Sequence, residues 1–179
     1  RMTRWKGQLL LIEALRRADE AGVQARAVLA GDDQGRSDYS AEVRAAIAEA
    51  GLTERVVIAG HVGDMPAAYL ACDLAAAPSL DPEAFGRTAV EPQAMGRPVL
   101  AAAHGATTET VVHGETGWLV APGDPDAWAE AIVTAVQAGP ERRAAMGRAG
   151  RARVEALYSV ERMTASTLDL YARVLEARR

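Results

Sequence analysis

The stretch RVVIAGHVGDMPAAYLACDLAAAPS, Arg55–Ser79, reads as strand, helix and strand in immediate succession. RVVIAG (Arg55 to Gly60) is short, β-branched and ended by glycine, the pattern of a buried strand. A short helix around Met65 to Ala71 follows, and then a second strand, LAAAPS (Leu74 to Ser79). Toward the N-terminus the alternation repeats. ARAVLAG (Ala25 to Gly31) reads as a strand, and YSAEVRAAIAEAGL is a helix with Ser40 near its start and Gly51 at its end. Leu9, Leu10, Ile12, Ala14, Leu15 and Ala18 recur at helical spacing, and Gly22 suits a left-handed cap.

Toward the C-terminus come a helix after Gly86, the strand PVLAAA (Pro98 to Ala103), a helical turn near Thr107 to Val111 and an edge strand, TGWLVAP. Three helices, roughly 124 to 138, 140 to 157 and 159 to 177, complete the chain. Strand and helix alternating in this way imply right-handed crossovers. The expected fold is α/β, a Rossmann-like doubly wound parallel sheet of about six strands flanked by helices. Ligands of such sheets bind at the carboxyl ends of the strands.

Composition agrees. Hydrophobic residues make up 49% of the chain but aromatic residues only 4%, so the core must be built from Ala, Val, Leu and Ile. Net charge is −4, with 20 Lys and Arg dispersed among 24 Asp and Glu, which argues against a nucleic-acid partner. The one cysteine, Cys72, precludes an internal disulfide and fits a reducing cytosol. No apolar run approaches a membrane span and no signal peptide is visible. The abrupt opening RMTRWKG suggests a piece of a longer protein.

Two groups of residues could carry chemistry. Arg1, Arg4 and Lys6 lie in the loop before the first helix, whose start adds free amides and a positive dipole end. That combination describes a phosphate site, although a solvated basic loop reads equally well from the cluster alone. In SLDPEAFGRTAVEPQAMGRPVL, Glu83 sits in a loop after Pro82, Gly86 allows close backbone approach, and Glu91 lies about one turn into a helix. Carboxylates suit hydroxyl-rich ligands because each accepts two hydrogen bonds in a bidentate grip. By spacing alone, Glu91 also reads as a residue favouring the helix dipole and Glu83 as an exposed loop residue.

In order, RMTRWKG, GHVGDMPAAYLACDLAAAPS, PEAFGRTAVEPQAMGRPVLAAAHGATTETVVHGETGWLVAPGD and YSVERM resemble the C-terminal domain of family 4 retaining glycosyltransferases of the GT-B fold. The resemblance covers essentially the whole chain, residues 1–179, as a single domain, and implies an N-terminal acceptor domain that is absent. It implies a nucleoside diphosphate sugar as donor, transfer with retention, and no metal or other cofactor. By position, Arg1 and Lys6 match the cations on the donor diphosphate, Glu91 the carboxylate on the ribose, and Glu83 the residue facing the donor sugar. Phe85, Gly86, Arg87 and Thr88 match the loop and helix start that hold sugar hydroxyls and phosphate oxygens. His61 and Val62 match the segment beside the base. A cytoplasmic protein, peripheral at the inner face of the membrane through the missing domain, accords with the family's habit.

The chain departs from the family at Ala84, at Pro92, and at HGATTE, where Ala106 replaces the second of a frequent glycine pair. Pro92 is tolerable in the first helical turn and less so beyond it. Trp5, Trp118 and Trp128 read as packing residues, His104 and His113 as loop residues, and Arg142, Arg143, Arg148, Arg151 and Arg153 as a solvated helix face. An epimerase on the same scaffold and a receiver-like nucleotide-binding module are the competing functions. The last helix, ending LDLYARVLEARR, is expected to leave an apolar stripe uncovered.

Overall fold

Five strands hold the buried apolar runs: β1 (Ala27–Ala30), β2 (Val56–Gly60), β3 (Ala75–Ala77), β4 (Val99–Ala102) and β5 (Gly117–Val120). The computed structural model describes residues 1–35 and 37–177. All strand pairs are parallel. Leu29 stands opposite Ile58 in the first sheet, and in the second Ala76 stands opposite Leu100, itself opposite Trp118. Among the described residues the strands form two hydrogen-bonded sheets, β1-β2 and β3-β4-β5, with β5 at an edge as expected.

Two expectations are corrected here. The sheet has one strand fewer than about six, and it is not continuous. Residues 1–7 cross between the sheets as a loop with a short 3-10 turn, Arg4–Lys6. The Met2 amide donates to Asp32 O just beyond β1 at 2.8 Å, and the Leu80 amide donates to Trp5 O just beyond β3 at 2.7 Å. This segment therefore ties together the carboxyl ends of the two sheets, whose facing edges stay unpaired with one another.

The helices are α1 (Gln8–Glu20), α2 (Ser37–Glu49), α3 (Met65–Leu70), α4 (Arg87–Ala94), α5 (Thr107–Thr110), α6 (Pro125–Gln137), α7 (Gly139–Leu157) and α8 (Val160–Glu176). Side-chain caps from Asp64, Asp124 and Ser159 start α3, α6 and α8 by accepting from backbone amides that a helix start leaves free. Strand β4 is buried on both faces. Leu100 and Ala102 join Ile12, Leu15, Trp128 and Ile132 of α1 and α6, while Val99 and Ala101 join Ala77, Ala89 and Val111 on the α4 side. This two-sided burial explains a continuous apolar strand with no polar alternation.

Trp128 is fully buried and donates to Ala121 O at 3.0 Å, and Trp118 packs at the margin of the same core. Of the α7 arginines, Arg142, Arg148 and Arg151 are exposed as expected, whereas Arg143 and Arg153 are half-buried. Arg142 donates to Gly114 O, Arg143 to Ala135 O and Val136 O, and Arg153 to Glu109 O, so these three cap loop and helix carbonyls. Along α8 no residue is buried, and Val160, Met163, Leu170, Tyr171 and Val174 form the expected exposed apolar stripe. Among the described residues no helix is long and apolar enough to cross a membrane.

Candidate functional site

The candidate residues gather where loops 1–7, 79–86 and 103–106 meet at the carboxyl ends of β1, β3 and β4. Gly7 (φ 72°) makes the first contact possible, since a Cβ there would lie 1.9 Å from Pro78 O. Gly105 (φ 57°) makes the second, because its Cβ would lie 2.8 Å from Glu83 O. With Gly105 in place, the Ala106 amide donates to Glu83 O at 3.0 Å. Ala106 itself has φ −66°, an ordinary helical value, so a second glycine is not needed by the backbone.

Lys6 and Glu83 are brought into direct contact. The Lys6 ammonium donates to Glu83 Oε1, with the two side chains only 17% and 13% exposed. The same oxygen accepts from the buried Ser79 hydroxyl at 2.7 Å, and Lys6 Nζ lies 4.3 Å from the centroid of the Trp5 ring. Trp5 thus forms a face under the cation, which corrects its reading as a packing residue. His104 Nε2 meets Ser79 O at 2.9 Å and joins this loop to the end of β4. Arg1 is exposed at the same loop, its carbonyl accepting from Gln8.

Arg4 does not join the cation cluster. It forms a forked pair with Glu42 of α2 and stacks on Tyr39, 5.2 Å from the ring centroid. Two carboxylate oxygens in the fork geometry of a guanidinium hold it there. The expected three-cation site therefore reduces to Arg1 and Lys6.

Glu91 lies one turn into α4, 33% exposed, with each oxygen occupied. Arg87, one turn earlier, donates to Oε1 at 2.7 Å, and the Tyr69 hydroxyl of α3 lies 3.3 Å from Oε2. Burial and then the charge of Glu91 hold the Tyr69 phenol far above its ordinary pKa. Gly86 (φ 75°) is the N-cap of α4, and Thr88 in its first turn has a buried hydroxyl with no partner. Phe85, 44% exposed, meets Tyr158 edge-on at 5.7 Å, which links this loop to the junction of α7 and α8. His61 is exposed and Val62 half-buried in the loop between β2 and α3, beside the Asp64 cap.

Pro92 is the sixth residue of α4, past the first turn, and the helix accommodates it while buried. Lacking an N–H, it cannot donate to the Thr88 carbonyl four residues back. Cys72 donates to Ala68 O as a packing thiol, and His113 Nδ1 accepts from the Leu119 amide. Sequence reasoning missed Ser79, Trp5, Tyr69 and His104 as parts of the site. Only Ser79 carried a signal, its position four residues before Glu83 in the same loop.

Residues 1–153 match the family described as Glycosyl transferases group 1. The D-inositol 3-phosphate glycosyltransferase of Xylanimonas cellulosilytica is 34% identical over 175 residues, 97% of this chain and 40% of that protein. The crystal structure of Anabaena HepE in complex with UDP and glucose matches with a TM-score of 0.89 at 34% identity, covering 97% of this chain and 46% of that one. A crystal structure of the C-terminal domain of the Francisella tularensis group 1 family protein LpcC matches with a TM-score of 0.78 at 26% identity, over 88% of this chain and 82% of that one. The chain spans less than half the length of the Xylanimonas and HepE proteins.

Proposed function

Given that the chain belongs to the glycosyl transferases group 1 family and has the α/β architecture of GT-B enzymes, we propose that it is the donor-binding half of a retaining glycosyltransferase. The donor is a nucleoside diphosphate sugar, and the acceptor site lies in an N-terminal domain outside this chain. Any peripheral seat at the inner face of a membrane belongs to that domain too. The solved LpcC domain, which this chain nearly spans, supports the assignment to the C-terminal half. The UDP held by HepE supports the donor class.

The observation that carries the reading is the meeting of Lys6, Glu83 and the α4 start at the divide between the sheets. Helices α1 and α2 cover one face and α4 the other, so the divide is a topological switch point, where such sheets take their ligands. In the free protein each carboxylate is paired with a cation, Glu83 with Lys6 and Glu91 with Arg87. A diphosphate competes for both cations. Once Lys6 turns to phosphate, Glu83 is free to accept from sugar hydroxyls; once Arg87 leaves, Glu91 is free to accept from the ribose diol.

As the glycosidic bond to the diphosphate breaks, negative charge grows on the leaving oxygens. Lys6 and Arg1 stabilise that charge, and the amides opening α4, with Phe85 and Gly86 shaping the loop, add a fixed positive end. Cations in these positions supply what a divalent ion would, so transfer proceeds without metal. Arg87 and Thr88 contribute at the helix start, and His61 and Val62 flank the base. The chain alone binds the donor and transfers nothing.

Calorimetry with UDP-, GDP- and ADP-sugars tests the binding half of the proposal. Binding of one of them, lost in Lys6→Ala/Glu91→Ala, is expected; binding of none, or binding unchanged in that variant, refutes it. In the intact protein, product with the donor's anomeric configuration and activity that persists in EDTA test retention and metal independence.

A further inference from the structure

Tyr69 lies on α3, and its hydroxyl reaches across to α4, where it lies 3.3 Å from Glu91 Oε2. Resting on the proposed ribose role of Glu91, we propose that Tyr69 is a positioning residue that holds this carboxylate for the ribose diol and so sets the preference for ribonucleotide over deoxyribonucleotide donors. Two neighbours hold Glu91, and they differ in kind. Arg87 is 81% exposed, an i,i+4 partner on a flexible stem that water and phosphate compete for. Tyr69 is half-buried, and its rigid ring carries the hydroxyl from α3 to Glu91 on α4.

When a nucleotide arrives, Arg87 can leave Oε1 while Tyr69 stays on Oε2. The geometry permits this because an ionised carboxylate offers about four acceptor positions and a phenol uses one. The remaining positions meet two vicinal hydroxyls. Without the phenol, the Glu91 side chain regains its rotamers and the diol must order it on binding. Because burial and Glu91 both favour the protonated phenol, Tyr69 remains a donor throughout the neutral range. The Arg97 side chain, donating to Leu70 O at 2.6 Å, braces the end of α3 against the segment after α4, so the reach of Tyr69 is fixed by packing.

The test compares Tyr69→Phe with the unsubstituted intact protein by calorimetry, using whichever of UDP, GDP and ADP binds tightest and its 2′-deoxy counterpart. The variant keeps the ring and removes one hydroxyl. Its affinity for the ribonucleotide should fall about three- to tenfold, the range of one lost hydrogen bond to a charged group relayed through a side chain, with a clearly smaller fall for the 2′-deoxy nucleotide, which offers Glu91 only its 3′-hydroxyl. In a Glu91→Gln background the same change should have little further effect, because the coupled pair is already broken. Equal weakening toward both nucleotides indicates a structural role and overturns the proposal, as does unchanged discrimination. Failure of the unsubstituted protein to bind any nucleoside diphosphate overturns it together with the donor-binding reading, whereas binding without a Tyr69 effect overturns the proposal alone.

Discussion

Replacing Glu83 with alanine isolates the pair at the centre of the site. The substitution leaves the Lys6 ammonium, on a side chain only 17% exposed, without its counter-charge, and the buried Ser79 hydroxyl without its acceptor. Removing one partner of a fully buried ion pair costs about 3–5 kcal/mol. Partial exposure of both side chains, with the Trp5 face still under Lys6, brings the expected cost to about 2 kcal/mol. For a domain of this size that lowers the melting midpoint by roughly 4–8 °C. Scanning calorimetry measures it, and the double variant Lys6→Ala/Glu83→Ala should cost less than the sum of the two single changes, since the charges no longer need one another. Inorganic diphosphate should raise the midpoint of Glu83→Ala more than that of the unsubstituted protein, where the anion must first displace a carboxylate. A Glu83→Ala midpoint equal to the original, or strict additivity in the double variant, refutes the pairing argument.

Gly105→Ala places a Cβ 2.8 Å from Glu83 O at a left-handed φ, so stability should fall by about 1–3 kcal/mol in urea unfolding, with loss of nucleotide binding as the Glu83 loop moves. Glu13 is held at a pKa of about 2 by hydrogen bonds first from Arg16 and then from Arg17, below its ordinary 4.5. Its folded pKa is depressed, so its stabilising contribution is present above the ordinary value and fades as pH falls from about 5 toward 2. Melting curves of Glu13→Gln should accordingly lose less on acidification over that window than those of the parent chain. An unchanged acid slope contradicts this.

Much of the frame was legible because each strand and helix announces itself locally. The strand windows at Ala25 to Gly31, Arg55 to Gly60, Leu74 to Ser79 and Pro98 to Ala103 each contain the observed strand, and Gly22 and Gly51, both at left-handed φ, stand just past the ends of α1 and α2. The site was legible in its parts. Lys6, Glu83 and Glu91 stood out by their setting, but Tyr69 and Glu91 lie twenty-two residues apart, and Arg4 and Glu42 thirty-eight. No local period connects such pairs, so no sequence pattern could assign Arg4 to α2 and away from the phosphate loop, or Trp5 to Lys6 and away from the core.

By itself the sequence determined the alternation of strands and helices, the apolar two-sided character of β4, and the placing of glycine where loops must close upon one another. Those properties depend on backbone preferences and hydrophobic periods that act over a few residues. Only the tertiary structure decided that the strands divide into two sheets, that Glu83 rests on Lys6 and Ser79, and that Glu91 is held between Arg87 and Tyr69. Which charge meets which is set by the distances that packing imposes on loops from different strands, and electrostatic pairing falls off too steeply with separation and solvent for composition or spacing to foretell it.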